Sequence, residues 1–196
     1  MSLVISKLTE DHRNMVLLMS LIGREVDALE NGERWDHRLV EFILDYTQHH
    51  PDCRHHPLED EIRDKLKRRA PEAAQAAGDV LAEHAELIDL AHRLDDAVKT
   101  VGTKKGPTPE ETAAVAREYR ERLLAHIDAE ETQLFPLALE NLSAADWQEI
   151  EDKLGSDIDP VFGGGIKEQK YEKLRKAITA WEDEAALVEA GRDEVG

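Results

Sequence analysis

The chain has 196 residues and a single cysteine, which is length enough to bury the core of one ordinary domain and too few thiols for an internal disulfide. Its formal net charge of −18 argues against nucleic acid or an anionic membrane as a partner, because both reward clustered lysine and arginine; the acidic surplus reads as a solvated surface. No apolar run approaches the ~20 residues that span a bilayer, and Met1 to Glu10 lacks the apolar core of a targeting segment, so a soluble, cytoplasmic protein is expected.

From Ser6 to Glu30, Leu8, Met15, Leu18, Ile22, Val26 and Leu29 recur at three- and four-residue steps, the pattern of an amphipathic helix, and His12 lies on the same stripe. Asn31-Gly32 ends it, because glycine tolerates the left-handed turn that closes a helix. A second helix is predicted from Asp36, a suitable N-cap, with Leu39, Phe42, Ile43 and Tyr46 inward. Pro51 and Pro57 lack a backbone N–H, so this helix must kink or restart beside His55 and His56 before running on through Leu58, Ile62 and Leu66. A third helix, Glu72 to Thr100, carries Leu81, His84, Ile88, Ala91 and Val98 on one stripe. Thr108-Pro109-Glu110-Glu111 then opens a fourth with a capping box and a proline at its first position. That helix presents Val115, Tyr119, Leu123, His126, Glu130, Leu134 and Leu137, and Pro136 is expected to bend it late. A short helix from Ser143 to Leu154, anchored by Trp147 and stopped by Gly155, precedes a turn-rich connector, Asp157 to Gly165. A last helix, Lys167 to Ala190, keeps Tyr171, Leu174, Ile178 and Trp181 on one face. Nothing alternates at period two, and the expected architecture is all-α: an up-down-up-down four-helix bundle with additional C-terminal helices. Residues 1–141 are assigned to the bundle and 142–196 to an extension packed on or beside it.

The chemistry lies on the inward faces. His55 and Glu59 stand four apart, as do His126 and Glu130, and residues at that spacing share one face of a helix. His84 follows His12 by 72 positions and His126 follows His55 by 71, as if one helix pair were written twice. Burying His12, His55, His84, His126 and the adjacent His56 with Glu59 and Glu130 would cost several kcal/mol if nothing compensated them. One histidine on an apolar stripe is ordinarily a core residue with one hydrogen bond; this set together reads as a metal cage. Two carboxylates that bridge, with imidazoles on either side, suit a dinuclear site, and imidazole favours iron, copper, nickel or zinc over magnesium or calcium. Apart from nearby Cys53 the cluster has no thiolate, which argues against a cysteine-rich structural zinc site. Two iron ions are the first choice, with zinc or another transition metal as the alternative. His37 and His92 are assigned to the surface and His49 and His50 to solvent or the margin of the site. Tyr46 and Tyr119 are read as core residues, and Cys53 as a buried, inert thiol.

The pattern resembles hemerythrin and the hemerythrin-like HHE cation-binding domains, through His12, His55-His56-Pro57-Leu58-Glu59, Glu83-His84 and His126-Ile127-Asp128-Ala129-Glu130-Glu131, with Leu134-Phe135-Pro136 trailing. The resemblance implies a four-helix bundle holding a non-heme di-iron centre bridged by two carboxylates, with or without an oxo or hydroxo bridge, and able to bind dioxygen or related small ligands. It further implies that His12 and His55 serve one iron and His84 and His126 the other, with Glu59 and Glu130 as bridges. The family places two histidines four apart on the third helix, but here Val80 and Ile88 flank His84 at that spacing. His56, turned ~100° from His55 on a helix, is the candidate for the missing nitrogen, or else a neighbour outside the cage. The leading expectation is a protein that binds dioxygen, nitric oxide or peroxide for storage, delivery or sensing. An oxidase or peroxidase-like enzyme, with Glu130 or Tyr119 moving protons, and an iron-responsive interaction module with an unknown protein partner are the alternatives.

Overall fold

The structure is a computed structural model that describes residues 2–50, 54–78, 80–154, 159–163 and 169–193, with the backbone alone at 50, 80, 81 and 185–193. Pro51, Cys53, Gly155, residues 157–158 and 164–165 of the connector and Lys167 fall outside the described residues, as does the His50 side chain. Every regular element among the described residues is helical.

Helix α1, Leu3–Glu30, begins ahead of the predicted Ser6 because the Ser2 hydroxyl accepts from the Val4 N–H at 3.2 Å and caps it. Gly32, at φ +70°, lies just beyond its end as expected. The second rod is α2, His37–His50, followed after a π turn at 54–55 by α3, His56–Arg69. Pro57 sits in the first turn of α3, where a missing N–H costs nothing. The third predicted helix is broken in two. Helix α4, Pro71–Ala76, stops at Gly78, whose φ of +85° no helix interior allows, and α5, Val80–Thr100, starts afresh.

Helix α6, Pro109–Ala129, opens with the expected capping box, in which Thr108 and Glu111 each accept the other's backbone N–H. A π turn, Glu130–Leu134, joins it to α7, Phe135–Asn141, so Pro136 falls in the first turn of a new helix rather than bending an old one. Helix α8, Ala144–Glu151, is capped by Ser143, and a 3₁₀ turn at Gln169–Tyr171 leads into α9, Glu172–Asp193.

Helix α1 packs against α2 and α6, and α5 against the same two, so these four close a ring of neighbours. Helix α8 rests on α1 and α3, and α9 on α1 and α2. The apolar interior forms two clusters. One holds Met15, Leu18, Ile43, Leu90 and Leu123, and the other Leu8, Ile62, Leu66, Leu134 and Ile150. On α1 the boundary falls between Leu8 and Met15, at His12.

Candidate metal centre

Each rod delivers its polar side chains to that boundary. His12 comes from the middle of α1, His55 from the π turn before α3, His56 and Glu59 from the first turn of α3, and His84 from α5. His126 ends α6 and Glu130 opens the π turn that follows. Both π turns thus coincide with a candidate ligand, where one extra residue per turn re-aims a side chain. His12, His55, Glu59, His84, His126 and Glu130 are each at most 5 % exposed, while His56 is half-buried with its ring stacked 3.9 Å from that of His84.

The six buried groups converge, and His56 joins them, in two sets of ligand atoms lying within 4.8 Å of one another: His12, His55, Glu59 and Glu130, and His56, Glu59, His84 and His126. Both carboxylates stand between the sets. Oε1 of Glu59 lies 2.7 Å from Nε2 of His55 and 3.5 Å from Nε2 of His12, whereas its Oε2 lies 3.3 Å from Nε2 of His84. Glu130 does the same in mirror fashion, with Oε2 3.3 Å from Nε2 of His12 and Oε1 3.3 Å from Nε2 of His126. Phe135 stacks on the His12 ring and closes that side.

Four further acids face the outer nitrogens. Nδ1 of His12 is 2.9 Å from Glu131, Nδ1 of His126 is 2.8 Å from Glu83, and Nδ1 of His55 is 3.4 Å from Asp11. Asp60 stands 3.9 Å from Nδ1 of His84. A carboxylate on the outer nitrogen keeps the proton there and leaves Nε2 a lone pair. These four acids are missing from the sequence-level site. The signal was adjacency: each is the sequence neighbour of His12, Glu59, His84 or Glu130.

Without a cation, the carboxylates draw protons onto three of the imidazoles. Burial pushes the imidazoles down, but the carboxylates of Glu130 and Glu59 overcome it and raise His12 to about 10. His55, against Glu59 and Asp11, and His84, against Glu130 and Glu59, are both raised to about 9. Burial alone would raise Glu59, yet His55, His12 and His84 hold it well below the ordinary carboxylate range.

The donor set fits metal ions better than it fits itself. Both oxygens of Glu59 and of Glu130, and Nε2 of His84 and of His126, are buried with no hydrogen-bond partner. Nε2 of His12 faces Nε2 of His55 at 3.0 Å, an approach that only a shared proton or a cation makes favourable. Oxygen and imidazole ligands of a first-row cation sit ~2.1 Å from it, which spaces them ~3 to 4 Å apart, and the distances above fall near that range. A family model described as the hemerythrin HHE cation binding domain matches residues 3–138. The chain belongs to the hemerythrin family. The hemerythrin span runs from the first residue of α1 into α7 and takes in every residue of both sets, while α8 and α9 lie beyond it. No curated protein and no solved structure matches the chain at a significant level.

The other singled-out residues lie elsewhere. His37 and His92 are exposed, as expected, and His49 is exposed with Nδ1 2.7 Å from the Asp45 carbonyl. Tyr46 is buried and donates to Asp159 at 2.7 Å. Tyr119 is buried and lines a small cavity of about 20 Å³ beside His56, together with Met15, Thr47, Gln48, Leu87 and Ile88. No helix among the described residues is long and apolar enough to cross a membrane.

Proposed function

We propose that this hemerythrin-family protein holds two iron ions and binds dioxygen or a related small ligand, nitric oxide or peroxide, for storage, delivery or sensing. The observation that carries the reading is the double bridge: Glu59 and Glu130 each offer one oxygen to either histidine set. His12 and His55 would hold one ion, and His84, His126 and half-buried His56 the other. Imidazole and carboxylate without thiolate suit iron, with zinc or another transition metal as the alternative. When bound, iron supplies a reversible one-electron change at each ion and a place for a small ligand. The chain supplies the fixed donors, the outer acids and the mostly apolar lining beside His56.

The cavity beside His56 supports the size class. At about 20 Å³ it has the room that one water, or a diatomic, needs. The same cavity gives the enzyme reading its one favourable observation, because Tyr119, Thr47, Gln48 and His56 add polar side chains to a lining that also holds Met15, Leu87, Ile88, Ala91 and Leu123. The remaining parts of the proposal are an up-down-up-down bundle over residues 1–141, a docked extension over 142–196, a cytoplasmic setting, and no nucleic-acid or membrane partner.

Elemental analysis of protein purified without added metal should find two irons per chain. Anaerobic reduction followed by oxygenation should remove and restore a visible charge-transfer band. One zinc, no metal, or no band in either direction would end the di-iron reading. Stoichiometric uptake of the ligand, against continuous consumption of peroxide, separates carrier from enzyme.

A further inference from the structure

The outer acids are arranged across helices rather than within them. Asp11, next to His12 on α1, faces His55 at the entry to α3, and Asp60, next to Glu59 on α3, faces His84 on α5. Glu83, next to His84 on α5, reaches His126 on α6, and Glu131, next to Glu130 after α6, reaches His12 on α1. Every rod of the cage gives one carboxylate and receives one, and the circuit closes from α1 through α3, α5 and α6 back to α1. It also sorts by cation site: Asp11 and Glu131 serve both histidines of one set, Asp60 and Glu83 two histidines of the other.

We propose that Asp11, Glu131, Asp60 and Glu83 are positioning residues that act in site-specific pairs, Asp11 with Glu131 on the His12/His55 cation and Asp60 with Glu83 on the His84/His126 cation. The proposal rests on the dinuclear reading above. Asp11, Glu131 and Glu83 each fix the proton on Nδ1 and the rotation of the ring they face, so that Nε2 presents a lone pair to the cation, while Asp60, 3.9 Å from Nδ1 of His84, acts on it through charge. The four also offset the positive charge that two divalent ions leave after the bridging glutamates. Distance ranks them: Glu83 and Glu131 are in full hydrogen-bond contact, Asp11 is longer, and Asp60 is the loosest, with its buried Oδ1 free of any hydrogen bond. A set of acids that merely ties helices together would show no such division.

The test uses the full chain and Co(II) as the probe, titrated against a chelator and followed by visible absorption. The wild type should take two Co(II). Glu83→Ala should weaken one of the two steps about 10- to 100-fold and leave the other, and Glu131→Ala should weaken the other step by a similar factor. Glu83 and Glu131 are 42 % and 39 % exposed, so truncation leaves the core intact, and unchanged helicity by circular dichroism would verify it. Glu83→Ala should add nothing in a chain already carrying His126→Ala, yet add its full effect to His12→Ala. The Gln variants, which keep an acceptor, should fall between. If both steps weaken together in each variant, or neither moves, the pairing is wrong although the dinuclear reading survives. Fewer than two Co(II) on the wild type would overturn both.

Discussion

A carboxylate as enclosed as Glu59 keeps its charge only because His12, His55 and His84 surround it. Glu59→Gln should therefore drop the iron content below two per chain. It should also cost the metal-free protein about 3 kcal/mol near pH 7, measured by urea unfolding, since removing one partner of a buried charge cluster leaves the rest uncompensated. The imidazoles make a second, separable prediction. In the folded, metal-free chain His12 holds its proton to about 10 and His55 and His84 to about 9, against ~6.5 when unfolded. Between those values the folded state binds more protons, so stability is fully present below pH ~6.5 and is lost as pH rises toward 10. The urea midpoint of the metal-free chain should fall over that window, and the iron-loaded chain should lack the slope because the cations have replaced the protons. The buried cluster was legible because histidines and glutamates at helical spacing on an apolar stripe must turn inward together. Their acid partners were not: in a chain with 43 acidic residues, an aspartate beside a histidine is indistinguishable from a solvated one until the neighbouring helix is in place.

At the scale of elements, the four rods follow from apolar periodicity, and the departures have local causes. Ala74 and Ala77 precede Leu81 by seven and four residues, a helical spacing that runs across Gly78, so periodicity alone could not show the break; the left-handed φ of that glycine does. Gly78→Ala should cost about 1 kcal/mol or more through backbone strain, since nothing crowds the added methyl, and should leave cation affinity unchanged in a chelator competition. The π turn at Glu130–Leu134 was equally hidden, because it preserves the sequence spacing from His126 while changing the hydrogen-bonding step. The extension is held by contacts of long sequence separation, which local patterns do not encode. Tyr46 donates to Asp159, whose other oxygen accepts the Val161 and Phe162 N–H groups, and Tyr171 donates to Asp45. Tyr46→Phe removes a buried hydrogen bond to a carboxylate and should cost about 1.5 to 3 kcal/mol of thermal or urea stability. Its iron content should stay that of the wild type, because the Tyr46 hydroxyl is engaged with Asp159 rather than with the histidine sets.

For the molecule as a whole, the candidate centre is a polar layer where two apolar clusters meet, and its groups come from α1, the α2–α3 rod, α5 and the α6–α7 rod. A cation there binds the folded chain and has nothing equivalent in the unfolded one, where these side chains are far apart. Folding and loading are then linked: at a free iron concentration a thousandfold above its dissociation constant, one site adds about 4 kcal/mol. The metal-free chain keeps both apolar clusters and the protonated imidazoles, so chelation should lower the melting temperature without abolishing the helical signal. Hydrogen exchange locates the effect. Amides around His55 to Glu59 and through the π turn at Glu130–Leu134 should gain the most protection on loading, because those segments carry the two carboxylates proposed to bridge the ions. Residues of α9, docked on α1 and α2 away from the layer, should change least. A uniform gain along the chain would mean that iron stabilises only by opposing global unfolding. No gain at the two bridging segments would place the cations elsewhere.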